Sequence, residues 1–238
     1  MSIDLSLIIP AYNEEKLIGE TLSKVVSFLD NKKFVWEIIV VDDGSIDKTS
    51  KIVESLKNPK VKLITLKKNQ GKGAALKAGF LAAEGRLQIY SDADLSVDVE
   101  TINPFMQKLE KFDVIIASRR VKGARIRKHQ PWLRENMGRV FTFLTQLVTG
   151  SQVVDFTCGF KGFTKTAARN IFARSLISRW AYDAEIVYLA EKKDFKILEY
   201  PVSWVNRKDT RVRLNKVVLE SLRDLVRIRI LDMQGRYD

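Results

Sequence analysis

Short apolar runs alternate with stretches of helical spacing through the first half of the chain. Ile3 to Ile9 is largely apolar and stops at Pro10, which predicts a buried strand. From Glu14 to Leu29 the positions Leu17, Ile18, Leu22, Val25, Val26 and Leu29 recur with helical period. Trp36 to Val41 is a second, β-branched strand, followed by Asp42-Asp43-Gly44-Ser45. The same alternation continues: helix over 47–56, strand over 61–66, small-residue helix over 73–83, strand over 86–90, helix over 101–109 and strand over 114–117. Strands separated by helices predict βαβ units and a largely parallel, doubly wound sheet.

After Ser118 the alternation weakens. A basic loop, Arg119 to Lys128, leads to a helix over Trp132 to Val148. Phe156 to Phe163 reads as a strand or turn, and helices follow over 165–172 and 184–192. Ile197 to Val205 has the character of an edge strand because it contains Pro201. Leu214 to Ile230 is amphipathic: Leu214, Val217, Val218, Leu222 and Leu225 share one face, with Lys216, Arg223, Arg227 and Arg229 elsewhere. Nothing recurs at a repeat period.

Charge narrows the partners. The 238 residues carry 41 Lys and Arg against 29 Asp and Glu, a formal net charge of +12, which favours polyanions such as anionic lipid, phosphorylated substrates or nucleic acid. The single cysteine, Cys158, excludes an internal disulfide. No apolar run approaches the ~20 residues of a membrane span, and no signal peptide is recognised at the amino terminus. The expectation is a cytoplasmic protein whose membrane contact is peripheral.

The candidate chemistry collects just after the strands, where open α/β sheets hold their ligands. Asp92 and Asp94 end the fourth strand; residues i and i+2 of a strand share a face, so the two carboxylates can converge on Mg²⁺ or Mn²⁺ together with substrate phosphates. In Pro10-Ala11-Tyr12-Asn13-Glu14-Glu15, Tyr12 can stack on a base and Glu14 can accept from ribose, or the segment simply starts a helix. Asp42 suits a nucleotide's donors, or caps a turn. Lys72, between Gly71 and Gly73, can meet phosphate without forming a P-loop, or lie in a plain loop. Arg119, Arg120, Lys122, Arg125, Arg127, Lys128 and Arg134 form the densest basic run; aromatics interleaved for base stacking are missing, which argues against nucleic acid. His129, the only histidine, supports no triad or metal site. Arg179 to Glu185 reads as a helix cap with a core aromatic.

Together, Pro10-Ala-Tyr-Asn-Glu-Glu, Val40-Val-Asp-Asp-Gly-Ser, Asn69-x-Gly-Lys-Gly-Ala-Ala and Asp92-Ala-Asp resemble glycosyltransferase family 2. In the second half, Ser118-Arg-Arg-x-x-Gly-Ala, Gln130-Pro-Trp-Leu-Arg, Cys158-Gly-Phe-Lys-Gly-Phe, Arg179-Trp-x-x-Asp-x-Glu and Tyr200-Pro-Val-x-Trp-x-x-Arg are similar to polyprenyl-phosphate glycosyltransferases, especially the dolichyl-phosphate glucosyltransferase branch. The resemblance implies a GT-A fold, with residues 1–118 as the nucleotide-sugar half and 119–213 as the acceptor half of one domain (1–213). Residues 214–238 follow as a basic amphipathic helix that can be interfacial or structural.

By the same resemblance, Pro10, Tyr12, Glu14 and Asp42 hold the nucleoside, Lys72 joins the donor site, and Asp92 and Asp94 carry the metal and diphosphate. Arg119, Arg134 and Arg207 meet the acceptor phosphate. Two positions depart from the pattern: Ser96 stands where the mannosyl branch often has Gln, and Asp209-Thr-Arg-Val-Arg-Leu replaces the usual loop. The implied reaction is inverting transfer from UDP-glucose, with GDP-mannose as the competing donor, to a polyprenyl or dolichyl phosphate at an anionic membrane surface. The alternative of another class is a non-catalytic basic adaptor that binds nucleotide sugar or nucleic acid.

Overall fold

The computed structural model describes residues 2–128, 132–207 and 214–238, with backbone only at 133, 134 and 214–219. His129, Gln130-Pro131, the Arg134 side chain and the segment from Asp209 to Arg213 lie outside the described residues.

Seven strands form one sheet: β1 (Leu5–Ala11), β2 (Trp36–Asp42), β3 (Val61–Thr65), β4 (Leu87–Ser91), β5 (Val114–Ser118), β7 (Phe160–Thr164) and β8 (Ile197–Pro201). Their order across the sheet is β3-β2-β1-β4-β7-β5-β8. Two further strands, β6 (Arg125–Lys128) and β9 (Ser203–Val205), pair parallel beside it. Every residue of β1, β2, β4 and β5 is buried. Helices cover both faces of the sheet, so these strands are mostly apolar, and buried polar residues among them find partners, as Ser6 Oγ donates to Glu37 at 2.6 Å.

Alternate residues serve two cores. Leu7 and Ile9 point to one face with Ile18, Leu22 and Val25 of α1 (Ile18–Asp30). α2 (Thr49–Ser55) and α4 (Ile102–Lys108) pack on this side. Ile8 and Val41 point to the other face, covered by α3 (Lys72–Ala82), α6 (Lys165–Arg174) and α7 (Tyr182–Lys192). Here Phe80 of α3 stacks on Phe172 of α6 at 3.9 Å and meets Phe163 of β7 edge-on at 5.1 Å. Truncating such a fully buried ring costs ~3–5 kcal/mol. α5 (Trp132–Thr149) and α8 (Leu214–Met233) pack on each other, and both touch α7.

The elements expected in the first half are all present, with one late start. α1 begins at Ile18 rather than Glu14, because Asn13 is left-handed (φ 56°). The N–H groups of Glu14 and Glu15 bond to Thr49 and Asp47 across the loop instead of opening a helix.

The second half departs further. β7 is antiparallel, with Phe160 opposite Ser91 and Thr164 opposite Leu87. The chain leaving α5 is anchored at the carboxyl edge of the sheet, where Glu199 accepts the N–H groups of Val154 and Asp155, so β7 must run back. The basic loop contains β6, and the expected edge strand over 197–205 divides in two. β8 closes the sheet through Pro201, and Val202 donates to Ser118 O at 3.2 Å. The chain then leaves as β9 to pair with β6.

Candidate active site

β1 pairs with β2 on one side and β4 on the other, so successive crossovers diverge between β1 and β4. Such a switch point leaves a crevice at the carboxyl ends of the strands. The segments after β1, β2 and β4 meet there and are knitted together. Ala11 lies beside Asp42, and Asp43 N–H donates to Ala11 O at 2.8 Å. Asn13 N–H donates to Ser45 Oγ at 2.8 Å, and the Asn13 carbonyl oxygen Oδ1 accepts from Ile46 N–H at 2.9 Å.

This knitting assigns the expected nucleoside residues different burdens. Pro10 is buried near the end of β1. Tyr12 stands at the rim, 44% exposed, able to stack on a planar ligand. Asp42 is buried, its carboxylate accepting Ser45 N–H at 2.8 Å and the Ser50 hydroxyl, which is the turn-capping alternative. Its neighbour Asp43 reaches the glycine loop: it accepts Gln70 N–H and Gly71 N–H at 2.8 Å and Asn69 Nδ2 at 2.9 Å. Burial raises the Asp43 carboxyl, against these bonds.

The loop so clamped presents Lys72. Gly71 is left-handed (φ 104°), and a Cβ there would lie 2.5 Å from Ser178 O. A Cβ on Gly73 would lie 2.5 Å from Ile177 O. Only glycines let the loop wedge this closely under residues 177–179. At the first position of α3, Lys72 forms an ion pair with Asp92, its ammonium 5.6 Å from the Tyr90 ring centre and 5.7 Å from that of Tyr182. Burial opposes the Lys72 charge, but Asp92, Tyr182 and Asp183 outweigh it and raise the group well above its ordinary value.

Asp92 and Asp94 lie in a turn just past β4, not on the strand, so strand alternation is not what directs them. Leu95 is left-handed (φ 48°), Ser96 N–H donates to Asp94 Oδ1 at 2.8 Å, and the Thr21 hydroxyl holds Ala93 O. The Asp92 N–H donates to Gly159 O at 3.0 Å, and a Cβ on Gly159 would collide with the Asp92 carboxylate. Burial, then the charge of neighbouring Asp92, raises the Asp94 carboxyl. Among the described residues no group of three His, Cys, Asp or Glu could hold a metal ion. Two carboxylates, with the remaining positions left to phosphate oxygens and water, are a donor set that suits a hard divalent cation such as Mg²⁺ or Mn²⁺.

Beneath the turn, the wholly buried Lys161 of β7 donates to Asp183 (2.5 Å), Phe156 O (2.7 Å), Cys158 O (2.9 Å) and Tyr90 Oη (2.9 Å). Asp183, expected as part of a helix cap, instead turns its carboxylate inward to Lys161 and Tyr90. Cys158 is a packed residue, its thiol pushed up to about 12 by burial.

The arginines expected on the acceptor side separate. Arg119 donates from Nε (2.8 Å) and Nη2 (2.6 Å) to Asp155, from Nη2 to Thr157 Oγ1 at 2.9 Å, and lies 5.4 Å from the Trp204 ring centre. Arg120 donates to Thr142 Oγ1 and Val154 O, tying α5 to the 151–159 segment. Arg207 is exposed and, with Glu20 and Lys24 of α1, lines a cleft beside Asp94. Val205 N–H donates to Ser96 O at 2.9 Å and Val97 bridges Trp204, so β9 carries Arg207 to the Asp92–Asp94 turn. Asp155, Gly159 and Lys161 were not singled out as candidates from the sequence. Gly159 and Lys161 lie inside the Cys158-Gly-Phe-Lys-Gly-Phe motif, whereas Asp155 had no local signal.

A doubly wound sheet with a carboxylate turn and a lysine-bearing glycine loop at its switch point is the arrangement of a GT-A fold glycosyltransferase. The profile of glycosyl transferase family 2 matches residues 6–172, and the chain belongs to that family. It is 35% identical over 249 residues to a dolichyl-phosphate beta-glucosyltransferase of Dictyostelium discoideum, covering 98% of this chain and 76% of the relative. A dolichyl-phosphate beta-glucosyltransferase of Trichomonas vaginalis is 34% identical over 97% of this chain and 72% of its own. Among solved structures, glucosyl-3-phosphoglycerate synthase from Mycobacterium tuberculosis, in complex with Mn²⁺, UDP and glucosyl-3-phosphoglycerate, superposes with a TM-score of 0.65 at 18% identity. The match covers 98% of this chain and 80% of that one.

Proposed function

We propose that this chain transfers glucose from UDP-glucose to a dolichyl or other polyprenyl phosphate, with inversion at the anomeric carbon. The observation that carries the reading is the Asp92–Asp94 turn packed against Lys72 at the switch point, in a chain similar along nearly its whole length to dolichyl-phosphate beta-glucosyltransferases. Asp92 and Asp94 would hold a divalent cation, whose chemistry there is to neutralise the charge developing on the leaving diphosphate. Tyr12 stacks the base at the rim, and the Asp43-clamped loop presents Lys72 to the phosphates. A lipid monophosphate has its second pKa near 6 and is largely dianionic at neutral pH, so it attacks without a strong general base. What the protein supplies is positioning and charge balance, from Arg207 beside Asp94 and from Arg119, held between Asp155 and Trp204. The Arg134 contribution belongs to this acceptor set by resemblance.

The lipid acceptor implies peripheral membrane contact. No helix among the described residues is long and apolar enough to cross a membrane. Two neighbouring helices nevertheless expose apolar stripes: Val140, Phe143 and Leu147 on α5, and Val226, Ile230 and Met233 on α8. Arg223, Arg227 and Arg229 on the α8 surface add attraction to anionic head groups. The opposite face of α8 is structural, with Leu225, Ile228 and Leu231 buried.

The test is transfer from radiolabelled UDP-glucose or GDP-mannose to dolichyl phosphate in vesicles, with Mn²⁺, Mg²⁺ or chelator. Metal-dependent product from UDP-glucose alone is expected. Product only from GDP-mannose would reassign the donor, and salt-sensitive oligonucleotide binding with no transfer from either would favour the adaptor.

A further inference from the structure

Asp92 has a cation of the chain's own beside it, the ammonium of Lys72. Lys72 and Asp92 are paired, yet their side chains remain 28% and 35% exposed, so the pair borders the crevice rather than being sealed in the core. The lysine is not there by chance of a mobile loop. Asp43 fixes the N–H groups before it, Gly71 and Gly73 press its backbone under residues 177–179, and Ala74 N–H donates to Ser178 O at 3.2 Å. The rings of Tyr90 and Tyr182 flank its ammonium. The partner is equally fixed: Asp92 is anchored through its N–H to Gly159 and blocked from behind by the absence of room for even a Cβ there.

Two consequences follow from this geometry. A divalent ion approaching Asp92 and Asp94 competes with Lys72 for the same carboxylate and is repelled by its charge. A diphosphate arriving in the crevice offers the same ammonium several oxygens, and the flexible four-carbon stem lets the head group move to them while the backbone stays clamped.

We propose that Lys72 is a resident counter-ion for Asp92 whose transfer to the nucleotide diphosphate frees Asp92 for the divalent cation, so that metal and nucleotide bind synergistically. The proposal rests on the reading of Asp92 and Asp94 as the metal pair and goes beyond it by making Lys72 the residue that couples the two ligands. Lys72 acts on the metal through Asp92 and is in that respect a positioning residue. Thermodynamic reciprocity requires UDP to tighten Mn²⁺ by the same factor as Mn²⁺ tightens UDP, which gives the measurement an internal check.

The experiment measures Mn²⁺ alone by the paramagnetic resonance of the free ion, UDP and GDP alone by calorimetry, and each in the presence of the other, on the full chain. In the wild type a coupling factor of about tenfold or more is expected for one nucleotide. Lys72→Met keeps the stem and removes the charge: Mn²⁺ alone should bind several-fold tighter and the coupling should fall towards one. Lys72→Gln is measured in parallel, with melting curves of both, so that a packing fault in one replacement does not decide the result. Lys72→Arg should retain the coupling. The proposal is overturned by coupling that persists in the neutral variants, by Mn²⁺ alone binding more weakly in them, or by a wild type that binds both ligands without synergy. A folded wild type that binds neither Mn²⁺ nor nucleotide overturns the metal-pair reading itself, and the coupling role with it.

Discussion

Asp155 holds Arg119 by three bonds: its two carboxylate oxygens accept Nε, Nη2 and the backbone N–H of the same residue, at 2.8, 2.6 and 2.8 Å. The carboxylate is wholly buried and the arginine side chain only 15% exposed, so a side chain assigned to an acceptor phosphate is first of all a fixed part of the framework. One face of the guanidinium is also spoken for by Trp204. Arg119 therefore offers a rigid charge, whereas the exposed Arg207 offers a movable one.

Asp155→Ala should strand the Arg119 cation and destabilise the fold by ~3–5 kcal/mol, the cost of breaking one side of a buried pair. Burial pushes the Asp155 carboxyl up, but the Arg119 bonds and charge prevail and hold it below its ordinary value. A depressed carboxyl contributes stability at pH above its unfolded pKa of ~4, and that contribution is lost as pH falls through the folded value. Urea melts at pH 7 and below pH 4 check both points: the deficit of Asp155→Ala should shrink in acid, and a deficit independent of pH would refute the ionic account.

Gly159→Ala should leave a folded protein that cannot arrange its Asp92–Asp94 turn. The added Cβ meets a side chain, the Asp92 carboxylate, rather than backbone, so the carboxylate swings away and the sheet survives. Expected are a melting temperature within a few degrees of wild type, weakened Mn²⁺ binding, and transfer reduced by about two orders of magnitude, the scale on which misplaced catalytic geometry acts. Normal transfer would contradict the placement of Asp92 at the reacting diphosphate.

Replacing Arg207 by alanine should separate the two substrates. The side chain is exposed and lines the cleft beside Asp94 with Glu20 and Lys24, and no residue of the 69–73 loop lines that cleft. Use of lipid phosphate should fall about a hundredfold, as when one oxyanion contact is removed, with nucleotide binding by calorimetry unchanged. Equal loss of both would assign Arg207 to the donor instead.

Charge placed on the exposed apolar stripes tests the membrane contact. Phe143→Glu and Ile230→Glu alter side chains that are 63% and 43% exposed, so stability should stay within about 0.5 kcal/mol of wild type. Flotation with vesicles containing anionic lipid should show the doubly substituted protein largely unbound, since interfacial helices depend on buried apolar area together with basic charge. Undiminished flotation would leave these stripes without a membrane role.

The motifs legible before folding are those whose chemistry is local. Asp92 and Asp94 were visible because an apolar strand ends on them, and Lys72 because two glycines flank it. The late start of α1 was not, since it depends on Thr49 and Asp47 capturing N–H groups more than thirty residues away. β6 was hidden in a run whose charges signal solvent, because its partner β9 lies near the far end of the chain.

What the sequence by itself determined is the doubly wound frame and the places where chemistry can sit. Strand burial on both faces and helical period are properties of neighbouring residues, and turn residues at strand ends follow from the same local rules. Only the tertiary structure decided which charges are paired: Lys72 with Asp92, Arg119 with Asp155, Lys161 with Asp183. The reversal of β7 delivers Gly159 and Lys161 to β4 from the opposite direction, and no pattern of spacing encodes a direction of approach. Pairing across such distances is settled by which side chains the closed sheet brings together, and that is not defined until it has closed.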